Sequence, residues 1–243
     1  MGPVAEKSPE VRDHSSVIPV AATDDRYRQI APIWHTFLVL ATQAALSYRG
    51  RARLQHLSVA GGGSRIHIYE QTIIFEWLML GLVLAGVWWH GSSLLTVLGQ
   101  RWTSLSRFLR DLGIGVLFLM GAIVMGSVSP HESNQAVRMI LPQGRAEMWL
   151  WVALSLSAGI CEEGVYRGYL QRQFISITKS APAGILLAAA AFGGAHLYQG
   201  WQMALQIGLL GALGGAIAYY CKTVRPGMIE HFLQDVLGGF MRH

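Results

Sequence analysis

The stretch SAPAGILLAAAAFGGAHLYQGWQMALQIGLLGALGGAIAYYC, at positions 180–221, runs without one Asp, Glu, Lys or Arg. A helix needs about 20 apolar residues to cross a bilayer, so this run is long enough for two spans, with a turn expected near Tyr198-Gln199-Gly200. Three further charge-free runs, 29–48, 77–100 and 112–131, are each long enough for one. A shorter run, 148–161, continues through Glu162-Glu163-Gly164-Val165-Tyr166-Arg167 into an amphipathic stretch with Tyr169, Leu170 and Phe174, and reads as one long helix carrying charge inside it. The last apolar segment, 226–241, opens on a proline suited to a first helical turn. The fold class is therefore all-α: a polytopic membrane helix bundle of about seven transmembrane helices, with charge embedded in the C-terminal ones.

Composition points the same way. Of 243 residues, 52% are hydrophobic and 14% charged, where a soluble domain carries about 25% charged residues. Cys161 and Cys221 allow at most one disulfide and no four-cysteine zinc site, so the fold must rest on helix packing. The formal charge of +5 reads as an orientation signal, and no nucleic-acid partner is expected. With loops assigned on this scheme, 12 of the 19 Lys and Arg lie on the side of the N-terminus. That favours a multi-pass protein of the plasma or inner membrane with a cytoplasmic N-terminus, against which Arg49, Arg51, Arg53 and Arg65 in one loop argue. Among the acids, Glu6, Glu10, Asp13, Asp24 and Asp25 crowd the N-terminal end. The expected organisation is a flexible polar tail over 1–28, N-terminal transmembrane helices over 29–146 and a C-terminal helical core over 147–243. Membrane lipids are the expected surroundings, and nothing in the sequence speaks to oligomeric state.

An ionised side chain at the centre of a membrane helix costs at least about 2.5 kcal/mol, so embedded acids are functional candidates by default. Glu162 and Glu163 follow an apolar helical stretch, and Arg167 lies one helical turn after Glu163, on the same face. That pairing accounts for Glu163 and leaves Glu162 without a partner, a carboxylate suited to taking a proton from water. If the chain reverses near Lys179, Glu162 and His196 lie equally far before and after the reversal, at the same depth of an antiparallel pair. His231 and Asp235 share a helical face at a spacing of four, which lets the acid fix the imidazole or share an ion with it. Gly208, Gly211, Gly214 and Gly215 form a small-residue face, read as helix packing. Glu76 is the better buried candidate of the pair Glu70 and Glu76, whereas His35, His56, His67, His90 and His131 lack partner spacing. Neither H-E-x-x-H, G-x-S-x-G nor a P-loop occurs.

Three patterns in order, E-E-x-x-x-R at Glu162 to Arg167, F-x-x-x-H at Phe192 to His196 and H-x-x-x-D at His231 to Asp235, resemble the CPBP family of intramembrane proteases. That family includes the type II CAAX prenyl endopeptidases and bacteriocin-processing or immunity proteins. The resemblance covers about the C-terminal two fifths, positions 147–241. It implies hydrolysis of a peptide bond in a membrane-associated substrate, prenylated or bearing a leader, with Glu162 as general base helped by His196. Glu163 and Arg167 would complete the site, and His231 and position 235 would stabilise the oxyanion. It leaves open a zinc-assisted mechanism, with Glu162, His196 and His231 as metal ligands, and a metal-independent glutamate mechanism. Asp235 stands where asparagine is frequent in the family. An ionised aspartate only accepts hydrogen bonds, so Asp235 reads better as orienting His231 or joining a cation site, which tilts the expectation toward metal. The alternative is a non-enzymatic membrane protein that gives bacteriocin immunity or anchors a partner.

Overall fold

A computed structural model describes Gly2 and residues 27–60, 64–128 and 135–241. The expected tail, 1–28, thus lies almost wholly outside the described residues. Every regular element among them is helical. The order is α1 (Ile33–Ala60), α2 (Arg65–Trp89), α3 (Leu95–Leu98), α4 (Leu105–Val128), α5 (Gln135–Ile140), α6 (Arg145–Glu163), a π-helical turn (Gly164–Leu170), α7 (Gln171–Thr178), α8 (Ala181–Ala195), a 3-10 turn (Leu197–Gln199), α9 (Trp201–Cys221) and α10 (Arg225–Phe240).

The helix count differs from seven. Short α3 and α5 lie in the connections, and the long charged helix is divided by its π turn into α6 and α7. Among the described residues three helices, Arg65–Trp89, Leu105–Ser127 and Trp201–Cys221, are long and apolar enough to cross a membrane by length and composition. Bounds drawn from charge-free runs start α2 and α4 too late, because charge is accommodated inside both helices. On α2, exposed Glu70 meets His67 at 3.1 Å, while Glu76 turns inward. On α4, buried Asp111 accepts from Arg110 at 2.7 Å and from the Trp102 indole at 2.9 Å.

The two expected reversals occur. Lys179 adopts a left-handed conformation (φ 54°) and ends α7. The Ser180 hydroxyl accepts from the Ala183 amide at 3.4 Å, and Pro182 sits in the first turn of α8. At the other end, the 3-10 turn and Gly200 carry the chain from α8 into α9. Along that antiparallel pair the backbones approach closely: a Cβ on Gly193 would lie 2.6 Å from the Ala204 carbonyl oxygen. Small residues permit this where no hydrophobic force draws helices together. Around the pair, α10 packs on α4 and α6, α2 on α6, and α7 on α8.

The N-terminal helices join this core through a buried polar chain. Gln173 donates to the Thr36 hydroxyl (2.8 Å), which lies 3.3 Å from the Tyr169 hydroxyl. Tyr169 in turn contacts His35 Nδ1 at 2.7 Å, and His35 Nε2 lies 3.1 Å from the Leu82 carbonyl oxygen. A carbonyl only accepts, so His35 carries its proton on Nε2 and accepts at Nδ1. Every member then has a donor and an acceptor in sequence, which is the condition under which buried polar groups add to stability. Among the described residues, His35 therefore has partners 47 and 134 positions away in sequence, on no local spacing.

Candidate active site

The π turn begins directly after Glu163, and every residue in it is buried. Single π turns inside α-helices recur at functional sites because the extra residue per turn re-aims the side chains beyond it. Here it delivers Tyr166 and Arg167 inward. Arg167 Nη1 lies 2.7 Å from Glu163 Oε1, both side chains about 5% exposed or less. The guanidinium also stacks on the Phe192 ring, 4.3 Å from its centre. The small face of α9 leaves room for it: a Cβ on Gly211 would meet Phe192 at 3.1 Å and Arg167 Nη2 at 3.4 Å. The glycines read as packing are packing, and part of what they admit is a charged group. Across the pair, Gly227 of α10 passes so close to the Glu163 carboxylate that any Cβ there would collide with it.

The six residues expected at the site, Glu162, Glu163, Arg167, His196, His231 and Asp235, all line one cavity of about 690 Å³. His231 occupies its centre. Its Nε2 lies 3.8 Å from Glu162 Oε2 and 3.6 Å from Asp235 Oδ2, and its Nδ1 lies 3.7 Å from Glu163 Oε1. Asp235 is further held by its backbone, whose carbonyl accepts from the Trp151 indole at 2.8 Å. Glu162, unlike its neighbour, has no guanidinium against it; Oε2 of each is buried without a hydrogen-bond partner. His196 closes the C-terminus of α8, with Nδ1 2.8 Å from the Phe192 carbonyl oxygen. The carbonyl again dictates the tautomer: Nδ1 holds the proton and Nε2 carries a free lone pair. His196 and Glu162 share the cavity without a direct hydrogen bond between them.

The same geometry bears on the zinc reading. Among the described residues no three His, Cys, Asp or Glu side chains are grouped so as to hold a metal ion. Of the expected set, Glu162 Oε2 and His231 Nε2 lie 3.8 Å apart.

Four other cavity residues carry no helical-spacing signature with the motifs: Glu76, Tyr166, Tyr198 and Glu230. The Tyr166 hydroxyl and Oε2 of Glu76 are buried without hydrogen-bond partners. In the sequence, Tyr166 is visible only as a residue inside the E-E-x-x-x-R stretch, and Glu76 only as an acid in a long apolar helix. Cys161 is buried and free, in keeping with a packing role.

No curated protein and no solved structure matches the chain. A family model, Rce1-like (type II CAAX prenyl endopeptidase Rce1-like), matches residues 144–237, from the start of α6 into the last turns of α10, a stretch that contains all six expected site residues. In its long apolar helices and its carboxylates around one histidine, the chain is similar over residues 144–237 to the Rce1-like type II CAAX prenyl endopeptidases.

Proposed function

We propose that this membrane protein hydrolyses a peptide bond of a membrane-associated peptide, prenylated or carrying a leader, inside the cavity, with Glu162 as the base that activates water. The observation that carries this reading is the unequal treatment of two adjacent carboxylates. Glu163 is neutralised by Arg167 at 2.7 Å, whereas Glu162 Oε2 faces the same cavity with no hydrogen-bond partner. Both keep an Oε2 without a hydrogen-bond partner, but only Glu163 has a guanidinium against it, which leaves Glu162 to accept the proton.

Glu162 takes a proton from water as the water oxygen attacks the carbonyl carbon. The C–N bond then breaks as that proton passes to the departing amine. His196, with its Nε2 lone pair toward the cavity, holds the water by accepting its second hydrogen. The oxyanion needs donors, and ionised Glu162, Glu163 and Asp235 offer none. The N–H of His231 and the unpartnered hydroxyl of Tyr166 supply them. Asp235, 3.6 Å from His231, orients that imidazole. Glu163 and Arg167 fix the register of the π turn on which Tyr166 is carried. The protein sits in the plasma or inner membrane with its N-terminus in the cytoplasm, the side that collects 12 of its 19 basic residues.

The test is cleavage of candidate peptides, prenylated at a C-terminal cysteine motif or bearing a leader, by the purified full chain in liposomes. Wild type is expected to cleave and Glu162→Gln to be inert at equal expression. Equal rates in the two would overturn the assignment of the base. The rate is expected to persist in chelator; a loss that added zinc restores would replace this reading with a zinc-assisted one.

A further inference from the structure

At the end of the bundle opposite the 3-10 turn, the start of α4 and the finish of α9 lie side by side. Both belong to candidate membrane spans, so this end marks a membrane–water boundary. Between them is a second pocket, of about 230 Å³, lined by Arg101, Arg107, Arg110 and Lys222 together with Trp102 and Thr223. Its one acid, Asp111, is consumed internally. Arg110 holds it at 2.7 and 3.0 Å, and the Trp102 indole donates to its other oxygen at 2.9 Å. Among the described residues Arg101, Arg107 and Lys222 have no carboxylate partner. Three unneutralised cations facing one concavity repel unless an anion joins them.

The pocket is held in shape by packing. Arg225 stacks its guanidinium on the Trp102 ring at 4.1 Å, and Phe108 meets the same ring edge-on at 5.1 Å. Gly99 lies so close to the next loop that a Cβ on it would sit 2.9 Å from the Thr223 hydroxyl. The loop bearing Arg101 and Trp102 is thereby pinned to the loop bearing Lys222. Further along the chain in α4, Leu105 and Leu109 are exposed at 70% and 52%, and Trp102 at 41%. Exposed leucines and cations thus share the first two turns of α4, beside an indole, the mixture that marks the headgroup zone of a bilayer.

We infer that this pocket binds the phosphate of an anionic phospholipid headgroup. The cations take the phosphate oxygens, Trp102 packs against the glycerol region, and Leu105 and Leu109 face the acyl chains. A free inorganic phosphate has the same charged oxygens but none of the apolar contacts, so lipid and free ion separate by experiment.

Full-length protein purified in neutral detergent would be offered phosphatidylglycerol, phosphatidylcholine or inorganic phosphate, with retained lipid read by native mass spectrometry and stability by thermal unfolding. Phosphatidylglycerol is expected to be retained and to raise the melting temperature, with phosphatidylcholine and phosphate doing neither. The triple variant Arg101→Gln/Arg107→Gln/Lys222→Gln changes exposed side chains only and is expected to bind phosphatidylglycerol at least tenfold more weakly. Arg138→Gln/Arg145→Gln, which removes exposed cations elsewhere, is expected to bind as wild type. Equal retention by wild type and the triple variant overturns the site. Equal loss in both variants reduces it to general surface charge, and stabilisation by phosphate alone overturns the lipid assignment. None of these readouts uses peptidase activity, so the lipid site stands or falls apart from the proposed reaction.

Discussion

The cavity has two walls that acquire polarity by opposite means. On the wall made by α6, the π turn, α8 and α10, polar groups come in pairs one turn apart on one helix. Glu163 meets Arg167 at 2.7 Å, His231 faces Asp235 at 3.6 Å, and Phe192 holds His196 through its carbonyl at 2.8 Å. The wall made by α1 and α2 is backed by polar groups partnered across helices. Behind the lining, His35 and Thr36 are satisfied by Tyr169 and Gln173, far along the chain, and in the lining Glu76 Oε2 is left unpartnered. Locally paired charge keeps its geometry as long as its own helix holds. Distantly partnered groups depend on the docking of whole helices. The difference assigns chemistry to the first wall and assembly to the second.

The largest effect should come from the first wall. Glu162→Gln removes the proposed base while leaving shape and most hydrogen bonding intact, and kcat is expected to fall about 10³-fold, within the range of general-base contributions. Peptide cleavage at saturating substrate measures it. Glu163→Gln acts differently, leaving the Arg167 guanidinium buried without its counter-charge, which costs about 3 kcal/mol or more. Thermal unfolding should register that loss, whereas Glu162→Gln should unfold as wild type. Gly227→Ala drives a methyl group into the Glu163 carboxylate. It should destabilise by about 1–3 kcal/mol, as overpacking does, and lower turnover with it. A Gly227→Ala protein with unchanged stability would mean that the pair is looser than 2.7 Å implies.

The same contrast explains what the sequence discloses. All six expected site residues converge on one cavity because their signals are local: helical spacing for two pairs, and a shared depth about Lys179 for Glu162 and His196. Equal depth puts those two in one cavity but not in contact, because His196 ends α8 and spends Nδ1 on its own helix. The helical class and both reversals are legible from uncharged length, a proline and a glycine. The start of α2 at Arg65 is not, since an inward Glu76 interrupts a charge-free run without interrupting the helix. His35 shows the limit most plainly. Nothing in its own stretch of sequence hints at Tyr169, and only folding brings the π turn to its side chain.

Smaller effects probe the second wall. Tyr169→Phe deletes the link between Thr36 and His35, leaving a buried imidazole nitrogen without its donor, and should cost about 1–3 kcal/mol of stability. Residual turnover per folded molecule should stay near wild type, because Tyr169 does not line the cavity.

The smallest effect decides most about the comparison. Glu76 shares the cavity with Glu162 and is likewise buried at Oε2 without a hydrogen-bond partner, so by burial alone the two acids look alike. They differ in company: Glu162 faces His231 at 3.8 Å, while Glu76 has no cation within ion-pair distance among the described residues. An acid that only lines the wall gains nothing from its charge, and a neutral amide of the same shape relieves the cost of burying it. Glu76→Gln should therefore leave kcat within about threefold of wild type and stability unchanged or raised by about 1 kcal/mol. Parallel cleavage assays and thermal unfolding of Glu76→Gln and Glu162→Gln put the walls side by side. If Glu76→Gln falls as far as Glu162→Gln, catalysis spans both walls, and the N-terminal helices do more than dock.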